Sequence, residues 1–542
     1  LKFYPDHDNM ARSIVFFVAL MLCASFTQAS RLKIDSVRVV VTDSSFALNC
    51  TMILCNLSWD NSWRDDVNWD AAWVFVKYKT NDGVWEHATL STDASHYKFP
   101  ADIDVAPAQD GKGVFIYRKT NGVGTVAVRD LELAWQSRTD GVVTKPTSSV
   151  KVFAIEMVFV PGGEFFIGDG SLFNVAGHFA DPFQSVTRAG QDRVTATFSG
   201  IRRAPAKEAK EINRPARIES EREIFFGNST NDHFGNSSGK GMLISDDVPR
   251  VYNNVVVPEY FPKGTKAFYC MKYEISQGLY AAFLNTLTDL QAASLAPEGD
   301  SAYRYTIRGK MFSYTAARPE RACNYLDWRH GAAFSDWAGL RPMTEFEFEK
   351  ACRGPQRPSP NEYAWGARSV VPIAEIIGEE IGTETFLPED ANCNSTMGDF
   401  KGGDGGRGPL RCGLLEKPNL GRAQPGASYY GIMELSGNLW EQCVTVGDPQ
   451  GRRFTALHGD GRLELDGSAN VERWPSGING MGYRGGSWSN QSFRLRVSDR
   501  QVAVGGATAR IAEGSTGFNS VTPESTGFRA VRTAEQYMII EK

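Results

Sequence analysis

Residues 323–354 read "CNYLDWRHGAAFSDWAGLRPMTEFEFEKACRG" and decide the architecture, because they predict two short helices in tandem. The first runs through YLDWRHGAAFSDWAGL, with Gly339 placed to end it in the left-handed conformation. Thr344, followed three residues later by Glu347, forms a capping box that starts the second at once. Upstream, SQGLYAAFLNTLTDL (276–290) puts Leu279, Phe283 and Leu287 on one face and predicts a third helix. Downstream of Gly354 the pattern changes to loops and short strands, including the glycine-rich GDFKGGDGGRGPL (398–410).

The region before these helices is different. Residues 31–150 carry strand composition in SVRVVV (36–41), WVFVKYK (73–79) and VGTVAVRDLELAW (123–135), with turn signals in TNDGVW and KTNGVG between them. In the second run Val74, Val76 and Tyr78 share one face, with Lys77 and Lys79 on the other. This predicts an all-β sandwich over 31–150 and a linker at SRTDGVVTKPTSSVK (137–151). A mixed domain follows over 152–535, interrupted by a polar insertion at 171–266 that carries a charged run. The fold class is therefore α+β. Five tryptophans between Trp59 and Trp85 suit either a packed core or a glycan-stacking surface.

Composition sets the outer limits. The chain has 542 residues at 42% hydrophobic and 22% charged, enough for more than one sizeable core. A net charge of −5 gives nucleic acid and anionic membranes no electrostatic hold on the whole chain, so neither is an expected partner. The first residues read as upstream sequence before Met10. Arg12, the apolar run Ile14–Cys23 and the small-residue pattern ending at Ala29 then form a secretory signal, so residues 1–29 are expected to be removed. The apolar run is too short to span a bilayer, and no transmembrane segment is expected. The protein is thus expected to be secreted, periplasmic or at the cell surface. Eight cysteines remain after Cys23, an even number that permits disulfides; Cys50–Cys55 and Cys393–Cys412 are closest in sequence, and spacing alone does not fix the connectivity.

Six stretches recur in a familiar order: MVFVPGGEFFIGDG (157–170), YCMKYEISQGLYAAFLN (269–285), the 323–354 run, YGIMELSGNLWEQC (430–443), YRGGSW (483–488) and GFRAVR (527–532). Together they resemble the formylglycine-generating enzyme, or sulfatase-modifying factor, family. The resemblance implies a C-type-lectin-like fold with few helices and much irregular structure. It also implies a copper site in catalytic members, where two cysteines following the Gly-Gly-Ser segment bind Cu(I), because soft thiolates select that ion. Counted from Gly485, those positions here hold Asn490 and Leu495, and no cysteine occurs from Val444 to the end. No copper is expected. The seven histidines are scattered and form no iron-binding pattern.

The resemblance further implies calcium, a hard ion suited to carboxylate and carbonyl oxygens, at Glu434, Gly437, Leu439 and Glu441, with Asn392 and Asp404 assigned to a second site. Around residues 484–500, Phe493, Leu495 and Val497 alternate with Arg494 and Arg496, which predicts a half-buried strand with a basic face. That face gives candidate ligand-binding residues Ser487, Trp488, Asn490, Arg494 and Arg496, suited to a glycan, an anionic group or a protein. Two functions are open at this point. One is an exported, non-catalytic binding or structural protein, with higher-order assembly among its roles. The other is a metal-dependent oxidase with ligands elsewhere.

Overall fold

The computed structural model describes residues 32–40, 50–143, 148–169, 255–310, 312–395, 398–500, 502–504 and 521–535, together with 179–180, 194–197, 200–203, 215–227 and 242–244 inside the insertion. Residues 1–29, read above as a secretory signal, and most of the charged run lie outside the described residues. The fold is α+β, an early β-sandwich followed by a sparsely helical region.

The first sheet of the sandwich holds Lys33–Val40, Thr51–Arg64 and Gly122–Trp135, antiparallel, with Thr51–Arg64 in the middle. Side chains alternate across a strand, so Ile53, Cys55, Leu57 and Trp59 fall on its inner face. They meet Ala72, Val74, Val76 and Tyr78 of strand Asp70–Lys79 in one apolar core. That second strand belongs to an eight-stranded sheet. Its order is Arg341–Pro342, Ala530–Thr533, Phe268–Met271, Val150–Val160, Asp70–Lys79, Val114–Arg118 and Ile103–Pro107, with Trp85–His87 paired to Asp70–Lys79.

This sheet crosses the boundary expected at 150–152. Val150–Val160 pairs with Asp70–Lys79 on one side, from Val150↔Tyr78 to Val158↔Asp70, and with Phe268–Met271 on the other. The stretch read as a linker therefore ends inside a central strand. The strand's sequence, VKVFAIEMVFV, is a near-continuous apolar run, which is what burial on both faces demands. The odd-numbered residues of Asp70–Lys79 follow suit. Ala71, Trp73 and Phe75 join the core of the C-terminal region, where Phe75 meets Trp337 edge-on at 5.0 Å. Trp59, Trp63 and Trp73 are all buried, so the tryptophan-rich stretch serves packing at those positions.

Lys77 shows what this second layer does to a face that looked solvent-exposed. It is buried, donates to the Gly461 oxygen at 2.9 Å and lies 5.3 Å from the Trp337 ring. Burial pushes its ammonium down to about 7, against the attraction of Asp336. Between that value and the unfolded lysine's ~10.4 the unfolded chain binds the extra proton, so stability rises with pH across this window. Lys77→Met is expected to abolish that rise, read as the urea midpoint at pH 7 and at pH 9.5. A wild-type midpoint that falls over this interval relative to the variant contradicts the assignment.

The helices Trp328–Trp337 and Glu345–Arg353 form as expected, the first followed by Gly339 at φ +68° and the second capped reciprocally by Thr344 and Glu347. Gly331 is required on the first helix, because a Cβ there would lie 1.9 Å from the Phe528 ring. The single helix expected over 276–290 is two, Gln277–Leu284 and Asp289–Leu295. The Thr286 hydroxyl bonds back to the Phe283 oxygen at 2.8 Å, and Thr288 with Gln291 forms a fresh capping box that restarts the chain in a new direction. The polar insertion is pinned where it returns: Ala216–Ile218 pairs with Phe165–Ile167, and the Glu221 carboxylate accepts from the amides of Lys263 and Thr265 at 2.7 and 2.8 Å. All eight described cysteines are free, and seven of them are buried. They pack as small apolar side chains and staple nothing.

Candidate functional site

The Gly-Gly-Ser segment leaves strand Met481–Arg484, which pairs with Glu441–Val444. Its glycines answer a steric demand. Gly485 (φ +83°) would place a Cβ 2.6 Å from the Leu435 oxygen, and Gly486 (φ +68°) would place one 2.8 Å from Leu495. The chain then turns tightly. The Asn490 side-chain oxygen accepts from the Ser487 amide at 2.9 Å and from the Ser487 hydroxyl at 2.7 Å, while the Asn490 amide returns to the Ser487 oxygen at 3.1 Å. Asn490 is thus a structural clasp. Leu495 is fully buried against Tyr363 and Cys393, and its carbonyl accepts from the Ser436 hydroxyl at 2.7 Å.

No strand with a basic face occurs at 492–498. Ser492–Leu495 is a 3-10 turn, so the two-residue alternation of the sequence does not become two faces. Arg494 is buried 3.6 Å from Asp499, Arg496 donates to the Asn361 side chain at 2.7 Å, and Arg500 engages Glu345. Trp488 is buried beside Leu439 and Ala322, its ring nitrogen donating to the Glu524 oxygen at 3.2 Å. Ser487, Trp488, Asn490 and Arg494 therefore form the interior of a wall. Of the five candidates, Arg496 alone is not buried. The following loop, 505–520, lies outside the described residues.

The acidic candidates are brought together, with two partners the motifs did not single out. Glu441 accepts from Arg529 Nε at 2.6 Å. Glu434 accepts from the Gly413 amide at 2.8 Å, and Glu274 accepts from the Leu439 amide at 2.9 Å and from the Asn438 side chain. Burial pushes all three carboxyls upward. The mutual repulsion of Glu274, Glu434 and Glu441 adds to this, and the Arg529 guanidinium opposes it. One oxygen each of Glu434 and Glu441 is buried with no hydrogen-bond donor among the described residues. Asn392 stands apart, its side chain closing the loop at Val371 and Ser369. Asp404 is committed to Arg304 and Arg321. The overlooked members carried a legible signal: Lys272 and Glu274 interrupt an otherwise apolar stretch, FYCMKYEIS, where a charge must find a buried partner. Lys272 finds Glu156 at 2.7 Å and Glu416 at 2.8 Å.

Thiol chemistry is equally constrained. Burial raises the Cys393 thiol to about 12 and holds those of Cys352 and Cys443 well above their ordinary value, so none is poised as a thiolate. Among the described residues no group of three or more His, Cys, Asp or Glu side chains is arranged to hold a metal ion.

Residues 259–534 match the family model described as a sulfatase-modifying factor enzyme 1-like domain, and the chain belongs to that family. It is also 29% identical over 147 residues to the inactive C-alpha-formylglycine-generating enzyme 2 of Mus musculus, a match covering 27% of this chain and 39% of that protein. The family match starts at residue 259, within the last residues of the polar insertion, which separates the first of the six sequence stretches from the rest. Within it the two copper-ligand positions are a turn-closing amide and a core leucine, and no cysteine pair is positioned for catalysis among the described residues.

Proposed function

We propose that this protein is an exported, non-catalytic binding or assembly component that uses a sulfatase-modifying-factor scaffold for recognition, its partner a glycan, another anionic or hydroxyl-rich group, or a protein docking at the C-terminal face. One observation carries the reading. Asn490 and Leu495 fill the copper-ligand positions and are built into the fold by their own bonds and packing. Support for export comes from the N-terminal sequence pattern; the unpaired thiols add none. Incubating the purified full chain with a cysteine peptide, Cu(I), oxygen and a thiol reductant that keeps the peptide from forming disulfides is expected to yield no formylglycine peptide by mass spectrometry. Conversion of that cysteine to an aldehyde overturns the reading.

A second reading concerns calcium at Glu434 and Glu441, completed by the carbonyls of Gly437 and Leu439. It is favoured by the two orphaned carboxylate oxygens and by a charge imbalance, three buried carboxylates facing one guanidinium. A hard divalent ion satisfies both. Calcium at one hundred times its dissociation constant is expected to stabilise the fold by about 2.7 kcal/mol. The gain should vanish in Glu434→Gln/Glu441→Gln, read by thermal unfolding with and without chelator. An equal shift in that variant places the ion elsewhere.

A further inference from the structure

A cavity of about 490 Å³ opens between the hairpin at 375–387 and the loop at 411–418, and the Ser487 turn contributes nothing to its lining among the described residues. Its apolar lining includes Phe386, Leu387, Leu414 and Pro418, and its cationic lining is Arg411 and Lys417. Arg411 is held rigidly. Its neighbours Leu410 and Cys412 are fixed by main-chain bonds to Ala322 and Glu320 at 3.1 and 2.9 Å, and Arg411 itself bridges Arg321. Its side chain is only 11% exposed.

Glu384, which is more deeply buried, backs this guanidinium through Nε alone, at 2.7 Å, and its other oxygen accepts from the Gly382 amide at 2.7 Å. The two terminal nitrogens of Arg411 have no protein partner among the described residues. They form the fork that matches a carboxylate in bidentate fashion. Lys417 donates to the main-chain oxygen of Glu389 at 2.7 Å, so its ammonium is not spent on a carboxylate there. Glu416 also lines the cavity, but its carboxylate is fully buried and engaged by Lys272.

We propose that this cavity binds an organic carboxylate bearing a short apolar group, with Arg411 gripping the carboxylate, Lys417 adding charge at the rim, and Phe386, Leu387 and Leu414 receiving the tail. Two sources supply that chemistry: a free small acid, or the C-terminus of a polypeptide ending in an apolar residue. The inference rests on the cavity alone and survives failure of the binding-protein reading above.

The test is calorimetric titration of the full chain with hexanoate, hexanol, and a pentapeptide ending in leucine, prepared as the free acid and as the amide. Hexanoate or the free-acid peptide is expected to bind at least about tenfold more tightly than its uncharged counterpart. Arg411→Gln/Glu384→Gln, which removes both charges together, should abolish that preference. Lys417→Ala, a change at the half-buried rim, should weaken binding by about two- to fivefold while leaving the unfolding temperature unchanged. A free-acid peptide that outcompetes hexanoate assigns the polypeptide source, and the reverse order assigns the free acid. Equal binding of hexanoate and hexanol, no saturable carboxylate binding at millimolar concentration, or undiminished affinity in Lys417→Ala overturns the proposal.

Discussion

Glu345→Ala is expected to destabilise the protein by about 3–5 kcal/mol, the cost of leaving buried charges without their partner. The Glu345 carboxylate lies at the start of helix Glu345–Arg353 and collects five donors: Arg484 Nη1 at 3.0 Å, Arg500 Nε at 2.5 Å and Nη2 at 2.9 Å, the Thr445 hydroxyl at 3.1 Å and the Val446 amide at 2.8 Å. Both arginines are fully buried. Burial alone would raise the Glu345 carboxyl, yet Arg500 and Arg484 outweigh it and hold the group below the usual carboxylate range. A depressed carboxyl contributes stability that is present above its unfolded pKa and is lost as pH falls through the lower folded value. The destabilisation of Glu345→Ala should therefore be full at neutral pH and shrink toward strongly acid conditions. Urea unfolding at pH 7 measures it, and a loss below about 1 kcal/mol would mean that the arginines are satisfied without Glu345.

Trp73→Ala is the second large effect, about 3–5 kcal/mol for a fully buried aromatic. Its ring packs on Phe115 at 4.7 Å, carries the Arg532 guanidinium at 4.5 Å, and donates from its nitrogen to the Ala338 oxygen at 2.8 Å. Those partners come from the sandwich, the last strand and the end of a C-terminal helix. Because strands Asp70–Lys79 and Val150–Val160 share one ladder, the loss should lower the stability of both regions together in a single unfolding transition. Two separate transitions, with only the earlier region affected, would mean that the sheet does not couple them.

Local signals in the sequence translated faithfully into local structure. The Thr344–Glu347 box and the Gly339 stop each follow from backbone chemistry, and each is where the residues place it. Periodicity was less reliable, because it reports which side chains share a face and not what covers that face. Lys77 and Lys79 alternate with apolar residues, yet only Lys79 reaches solvent, since a second layer packs over Lys77. Phe493, Leu495 and Val497 alternate with arginines, yet a 3-10 turn carries the segment inward. The acidic cluster was half legible. Glu434 and Glu441 lie in one motif, whereas Glu274 and Arg529 are distant in sequence and become neighbours only when the strands pair.

The most direct measurement is anaerobic Cu(I) titration of the full chain against a competing chelator, beside Asn490→Cys/Leu495→Cys as the thiol-bearing counterpart. The account expects no stoichiometric copper on the natural chain and a gain of thiolate-bound copper only in the double variant. One Cu(I) held by thiolates in the natural chain would contradict it, since the protein would then keep a redox site that its residues at 490 and 495 do not supply.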